Sequence, residues 1–244
     1  MFSGNLSDWN GYKRYDFQLD GIDVIIVEPK HYEPGKRWLW RARFFNAWPA
    51  VDLAMLEKGW LLAYIDVSDL FGGPEAMRRF DMLYNYLTVE HDFSKKVPLE
   101  GFSRGGLVIY NWAARNTDKV SCLYADNPVC DFKSWPGGLM SGPGSPMAWE
   151  KCLEAYDMTE DQAREYPLNP IDNLKPLADA GIPLLHVYGD ADEIVPISEN
   201  TDIVIERYRE LGGNIELICK PGCQHHPHCL EDPAPIVDFI LANS

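Results

Sequence analysis

One segment near the middle of the chain places a serine between glycines, at the junction of a predicted strand and a predicted helix. It reads VPLEGFSRGGLVIYNWAAR, in which residues 97–99 predict a buried strand and residues 105–116 predict a helix. The residues GFSRG between them fit the pattern G-x-S-x-G. Small residues around Ser103 let the strand and helix backbones approach closely, so the serine is expected at the tip of a strained turn.

Apolar runs closed by Gly, Pro or Asp alternate with helix-length segments along the chain. The runs predict strands at residues 24–27, 61–67, 97–99 and 184–188, and the other segments predict helices at residues 49–58, 74–87, 105–116 and 198–211. This alternation is typical of an α/β fold, with a mostly parallel twisted sheet and helices on both faces. The length of 244 residues, 46% of them hydrophobic, predicts a single domain over residues 1–244.

The region at about residues 131–181 breaks this alternation. Its first part is rich in Gly, Pro and Ser and predicts a loop, followed by a short helix around residues 149–156. Thr159 and Gln162 then have the spacing of a capping box, which predicts the start of another helix. Because long insertions in compact domains are often functional, we expect a small lid or a pocket wall here.

The charge and the cysteines limit the partners and the compartment. A formal net charge of −15 argues against nucleic acid or an anionic membrane as partner, since both need clustered Lys and Arg. We therefore expect a small-molecule substrate, and the oligomeric state stays open. The 6 cysteines are too few and too scattered for a disulfide framework, which favours a cytoplasmic location over export.

A serine hydroxyl is a weak nucleophile without a base, so the motif at Ser103 requires a histidine and an acid elsewhere. The segment HVYGDADEIVP follows a predicted strand and offers three acids, which are Asp190, Asp192 and Glu193. The segment IELICKPGCQHHPHCL is another strand followed by a loop with three histidines, which are His225, His226 and His228. Asp126, in LYADNPVCDF, is a further candidate for the acid.

In chain order, GFSRGG, GDADEIVP and PGCQHH resemble the nucleophile elbow, acid turn and histidine loop of α/β-hydrolase-fold serine esterases. The resemblance covers nearly the whole chain and is closest to the acetyl-esterase and dienelactone-hydrolase branch. It implies that Ser103 is the nucleophile, Asp192 the catalytic acid and His225 the base. It also implies cofactor-independent hydrolysis of a carboxylic ester, such as a short-acyl or methyl ester on a polar, carbohydrate or uronate scaffold.

The chain departs from many esterases where HGGG would supply part of the oxyanion hole, because RWLWRARFFNAWP stands there instead. We expect the backbone N–H of Arg104 to be the first oxyanion donor and the turn at residues 41–44, with Arg41 as candidate, to supply the second. Arg43, Trp135 and His226 are the candidate substrate-binding residues, since Arg suits carboxylates and aromatic rings suit sugars.

Several alternatives stay open at this point. The arginines at positions 41, 43 and 104 could instead pair with Glu100, Asp66 or Asp69, and the tryptophans at positions 38, 40, 48, 135 and 149 could fill the core. The histidine-rich loop, with Cys223 and Cys229, raises a zinc hypothesis, although its spacing matches no familiar zinc motif and we expect no metal. For the function, the alternatives are a thioesterase, a small peptidase, or a non-catalytic ligand receptor on the same fold.

Overall fold

The computed structural model describes residues 2–244 and contains one nine-stranded sheet in the order β1-β2-β3-β5-β4-β6-β7-β8-β9. The strands are β1 Asn5–Trp9, β2 Tyr12–Leu19, β3 Ile22–Glu28, β4 Trp38–Arg41, β5 Leu61–Ile65, β6 Val97–Phe102, β7 Val120–Asp126, β8 Leu184–Gly189 and β9 Ile215–Lys220. The first three strands pair antiparallel, β3 pairs antiparallel with β5, and the pairs from β5 through β9 are parallel. The predicted α/β-hydrolase fold, with its mostly parallel twisted sheet, is confirmed.

Residues 2–244 form eight α-helices, most of which pack on the two faces of the sheet. They are α1 Ala50–Glu57, α2 Pro74–Asn85, α3 Gly105–Arg115, α4 Pro146–Tyr156, α5 Glu160–Arg164, α6 Lys175–Asp179, α7 Thr201–Glu210 and α8 Ala234–Ala242. One core lies between the sheet and α2, α3, α6 and α7, and a second lies between the opposite face and α1 and α8. Across residues 2–244, no helix has both the length and the apolar character needed to cross a membrane.

The sequence predicts no strand around Trp38 and Trp40, yet both residues lie in the central strand β4. Both indoles are fully buried, and Trp40 stacks on Phe80 with ring centroids 4.2 Å apart. The alternative that tryptophans fill the core therefore holds for these two residues. The strand is hard to predict because it has only four residues and ends in a charged one, Arg41. The positive charge of Arg41 is tolerated inside the protein because its guanidinium forms a buried ion pair with Asp52.

The antiparallel strands β1 and β2 were also not predicted. Four of the five residues of β1 are exposed, so this edge strand shows little of the apolar pattern that reveals a buried strand. Asn10 and Gly11 both have positive φ, 53° and 83°, as a two-residue hairpin turn of type I′ requires. The Asn-Gly pair at residues 10–11 is thus the sequence feature from which this hairpin could have been predicted.

The region between β7 and β8 contains α4 and α5 at the places where the sequence predicts two helices, and it also contains α6, which the sequence does not predict. The capping box is formed in both directions, with 2.8 Å from Thr159 N to Gln162 Oε1 and 3.3 Å from Gln162 N to Thr159 Oγ1. Trp149 and Cys152 of α4 pack with Phe132 in a third apolar cluster above the sheet. The last part of the region packs elsewhere, because Leu177 of α6 is fully buried in the first core and not in this third cluster. The wall beside the functional site is therefore built by the first part, up to α4.

Candidate active site

Ser103 lies at the sharp turn between β6 and α3, with a left-handed φ of 50° that is unusual for a residue other than glycine. Three backbone hydrogen bonds hold this conformation. Ser103 N–H donates to Asp126 O at 3.0 Å, and the N–H groups of Val129 and Gly106 each donate to Ser103 O at 2.9 Å. The turn is anchored to the end of β7 and to the chain that follows it, so the hydroxyl is presented at the carboxyl edge of the sheet.

The glycines around Ser103 are not equivalent. A Cβ atom at Gly106 would lie 2.7 Å from the carbonyl oxygen of Val129, and one at Gly101 would lie 2.9 Å from that of Gly105. At Gly105 itself, a Cβ would meet only side-chain carbons, the nearest being Arg43 Cβ at 3.4 Å. The turn therefore needs glycine at positions 101 and 106, whereas position 105 has room for a methyl group.

This difference predicts unequal costs for two neighbouring substitutions. Gly106→Ala should lower the free energy of unfolding by about 1–3 kcal/mol, because backbone atoms must move. Gly105→Ala should change it by less than about 1 kcal/mol. Urea denaturation of the two variants checks this, and equal losses would show that the tight approach at Gly106 is not a constraint on the fold.

Ser103, His225 and Asp192 form a continuous chain of hydrogen bonds. His225 Nε2 lies 2.9 Å from Ser103 Oγ, and His225 Nδ1 lies 2.6 Å from Asp192 Oδ2. Because a carboxylate only accepts hydrogen bonds, Nδ1 carries the proton and Nε2 is left to accept from the serine hydroxyl. All three residues are at least 92% buried, with exposures of 8%, 5% and 6%, so solvent screens these contacts weakly.

The acid is held rigidly by the turn after β8. Asp192 Oδ1 accepts hydrogen bonds from the backbone N–H groups of Ile194 and Val195, both at 2.9 Å. These bonds orient the carboxylate so that its other oxygen faces His225. Asp190, two residues earlier, accepts instead from the N–H of Gly222 at 2.6 Å and closes the turn between the two loops.

Asp126, the other candidate for the acid, contacts a different histidine. Its Oδ1 lies 2.8 Å from His228 Nδ1, and its Oδ2 accepts from Cys229 N–H at 2.8 Å and from the hydroxyl of Tyr124 at 3.0 Å. Burial lowers the pKa of His228, although its hydrogen bond to Asp126 partly opposes this shift. The buried carboxylate at the end of β7 thus anchors the histidine loop, and it does not contact His225.

His226 is exposed and its ring stacks on Trp48, with centroids 5.2 Å apart. The three histidines of the loop place one ring nitrogen each within 4.8 Å of one another, a spacing from which a metal ion could be held. However, both ring nitrogens of His225 already have partners, so a metal bound to Nε2 would displace Ser103. Metal binding and the contact between His225 and Ser103 therefore exclude each other.

Arg41, the candidate for the second oxyanion donor, does not line the cavity that opens onto Ser103. Arg41 lies in β4, the sheet continues past it through a hydrogen bond from Ala42 N–H to Glu100 O, and its side chain is only 1% exposed. The guanidinium pairs with Asp52 and Glu100 and donates to the carbonyl of Ala47. Arg41 therefore forms a buried ion pair, which is the alternative that the sequence analysis left open for this residue. From the turn at residues 41–44, it is Phe44 that reaches the cavity at Ser103.

The pair of carboxyl groups around Arg41 makes stability depend on pH. Burial and the nearby Asp52 carboxylate raise the pKa of Glu100 well above its ordinary value of 4.5, even though Arg41 opposes the shift. A raised pKa in the folded state contributes stability that is fully present below pH 4.5 and is lost as the pH rises through the folded-state pKa.

Glu100→Gln removes this titration, because an amide stays neutral. The free energy of unfolding of the wild type should therefore fall relative to that of Glu100→Gln as the pH rises from 5 to 8, by at most about 1.4 kcal/mol per pH unit. Urea denaturation across this range measures the difference. A difference that does not change with pH would show that Glu100 titrates as it does in the unfolded chain.

A cavity of about 440 Å³ opens onto Ser103 and His225. Its remaining lining residues are Phe44, Ala47, Trp48, Arg104, Trp135, Ile194, His226 and His228. A second cavity of about 380 Å³ adjoins it and shares Arg104 and Trp135 with it, and Arg43 lines this second cavity. The structure therefore brings all three candidate substrate-binding residues, Arg43, Trp135 and His226, to the edge of the site. It adds Phe44 and Ile194, to whose side chains the sequence assigned no role.

The sheet order, the turn at Ser103 and the hydrogen-bond chain behind it define the chain as an α/β-hydrolase with the site of a serine hydrolase. The profile of the prolyl oligopeptidase family matches residues 85–239, which include every residue of that hydrogen-bond chain. The chain belongs to the prolyl oligopeptidase family. Among curated protein sequences, none matches it.

Solved structures share this fold. Est1E from Butyrivibrio proteoclasticus is 22% identical with a TM-score of 0.66, and the match covers 94% of this chain and 98% of that one. A puromycin-hydrolyzing peptidase from Mycobacterium tuberculosis is 12% identical, with a TM-score of 0.71 and coverage of 94% and 38%. Porphyromonas gingivalis dipeptidyl peptidase 4 is 13% identical, with a TM-score of 0.70 and coverage of 97% and 36%. The chain thus corresponds to little more than a third of each peptidase but to nearly all of Est1E.

Proposed function

We propose that this protein is a carboxylic ester hydrolase that acts through a covalent acyl-enzyme at Ser103. The observation that carries the proposal is the unbroken chain of hydrogen bonds from Asp192 through His225 to Ser103, at the floor of an open cavity. His225 Nε2 takes the hydroxyl proton as Ser103 Oγ attacks the ester carbonyl, and Asp192 stabilises the imidazolium that forms. His225 then returns the proton to the leaving alcohol, and a water molecule repeats the sequence to release the acid.

The tetrahedral intermediates need donors for their negatively charged oxygen. The N–H of Arg104 is the first donor in this proposal, because this residue directly follows the nucleophile and caps the N-terminus of α3, an 11-residue helix. The second donor is assigned to the backbone near Phe44, the part of the turn at residues 41–44 that lines the cavity. The left-handed φ of Phe44, 55°, marks a turn rather than a strand at this point.

The size and lining of the cavity support a small ester on a polar scaffold. About 440 Å³ accommodates a short acyl group with part of an alcohol, and the rings of Trp48, Trp135 and His226 offer flat surfaces on which a sugar could stack. Acetyl or methyl esters of carbohydrates or uronates fit this description, in keeping with the resemblance to the acetyl-esterase and dienelactone-hydrolase branch. A peptidase is the second candidate, and the match to the prolyl oligopeptidase family favours it.

The two candidates separate on small chromogenic substrates. We expect wild type, but not Ser103→Ala, to release nitrophenol from 4-nitrophenyl acetate, with rates that fall through the butyrate to the octanoate. Aminoacyl and dipeptidyl 4-nitroanilides should be cleaved at least about a hundredfold more slowly, because amides are less reactive than esters. Faster cleavage of any anilide than of the acetate would establish the peptidase instead.

A further inference from the structure

Three cations meet around the second cavity, and among residues 2–244 only one carboxylate lines it with them. Arg104 Nη1 lies 3.0 Å from Asp69 Oδ1, and Lys151 Nζ lies 2.6 Å from Asp69 Oδ2. Both oxygens of Asp69 are therefore engaged. Arg43 has no ion-pair partner among residues 2–244, and its buried Nε has no hydrogen-bond partner there. The lining thus carries two positive charges in excess, in a chain whose net charge is −15.

The cavity with these charges adjoins the site of the proposed chemistry. Arg104 and Trp135 line both cavities, and Arg43 packs beside Gly105, two residues after Ser103. An anionic group in the second cavity could therefore belong to the same molecule whose ester reaches Ser103.

The two guanidinium groups are held in place by aromatic rings. The Cζ atoms of Arg43 and Arg104 lie 4.8 and 5.4 Å from the centroid of the Phe44 ring, and Arg104 also lies over Phe71 and Trp135 at 5.7 and 5.6 Å. Burial and the charge of Arg43 lower the pKa of Arg104, against the opposing effect of Asp69. Two like charges held against the same ring repel each other, and an anion that contacts both would relieve that repulsion.

We infer that Arg43 and Arg104 bind a free carboxylate of the substrate, so that the preferred esters carry a second, unesterified carboxyl group. This inference rests on the proposed ester hydrolysis at Ser103 and names its substrate class. Carboxylate and guanidinium groups are both planar, so two N–H groups of one arginine can donate to the two oxygens of one carboxylate. A lysine ammonium cannot reproduce this pair of parallel hydrogen bonds. Arg43, whose donors are not already used by a protein carboxylate, supplies the main contact.

Matched ester pairs test the inference on both sides of the ester. The first pair is 4-acetoxybenzoate and 4-acetoxybenzamide, in which the alcohol carries the charge. The second is mono-4-nitrophenyl glutarate and its methyl-capped diester, in which the acid carries it. We expect wild type to prefer the anionic member of at least one pair by about tenfold or more in kcat/KM, and Arg43→Gln to lose most of that preference. Arg78→Gln, which removes an exposed positive charge from α2, should retain it.

Binding without turnover separates this inference from the proposed function. Calorimetric titration of Ser103→Ala with 4-acetoxybenzoate and 4-acetoxybenzamide should show tighter binding of the anion, and the additional change Arg43→Gln should abolish the difference. If wild type hydrolyses neither pair while Ser103→Ala still prefers the anion, the ester hydrolase proposal fails and the anion site stands. Equal binding of acid and amide to Ser103→Ala, or a preference that survives Arg43→Gln, would overturn the anion site.

Discussion

Replacing Ser103 with alanine is expected to lower kcat for 4-nitrophenyl acetate by about 10⁴-fold or more, and His225→Ala is expected to cost a similar factor. The reason is that the two side chains act as one unit across the 2.9 Å contact between Oγ and Nε2. Once either is missing, the other has no role left in the attack. The double variant should therefore be no slower than the single ones, and steady-state kinetics of the three variants measures this.

Ser121→Ala is the matched control, since this buried hydroxyl bonds Ser244 at the far end of the chain. It should retain the activity of the wild type within about threefold. Losses from Ser103→Ala and His225→Ala that multiply in the double variant would contradict a shared step. They would mean that the two residues contribute separately.

Asp192→Asn is the second change with a large expected effect, a loss of about 10³- to 10⁴-fold in kcat. The amide of asparagine can donate to His225 Nδ1, which then favours the tautomer with its proton on Nε2, and that nitrogen can no longer accept from Ser103. The fold should change little, because the side-chain oxygen that remains can still accept from Ile194 and Val195. Kinetics at saturating 4-nitrophenyl acetate, with thermal unfolding recorded in parallel, checks both statements.

Two other carboxylates of the same region serve as comparisons. Asp190→Asn changes a residue that bonds the backbone of Gly222, and its kcat should stay within about tenfold of the wild type. Asp126→Asn changes the partner of His228, so its first effect should be a lower melting temperature. A kcat loss in Asp126→Asn as large as that in Asp192→Asn would assign the acid to the end of β7 instead.

The sequence predicted those parts of the fold that depend on local patterns. The apolar runs at β3, β5, β6 and β8 show their burial directly, and the Gly-x-Ser-x-Gly pattern needs its strand and helix on either side. The pattern failed at β4, because a strand that ends in Arg41 looks solvent-exposed until Asp52 and Glu100 are known to meet it. These partners lie 11 and 59 residues away, so no local window contains them.

The same distinction applies to the site. Motifs placed Ser103, Asp192 and His225 in three loops, and the sheet order brings those loops to one edge, where the structure shows them in hydrogen-bond contact. No motif showed which histidine would meet Asp126, because that depends on how the loop after β9 turns back over β7. The meeting of Arg43, Arg104 and Lys151 at one cavity, where Asp69 pairs with the last two, is likewise a result of tertiary packing.

Labelling with a fluorophosphonate probe is the most direct test of the central claim, that Ser103 is an activated nucleophile. The probe reacts with a serine that has an adjacent base, and it requires no knowledge of the natural substrate. Mass spectrometry of the labelled wild type should place one adduct on the peptide that contains Ser103, with no adduct in Ser103→Ala. An unlabelled wild type, or an adduct that persists in Ser103→Ala at another residue, would contradict the account.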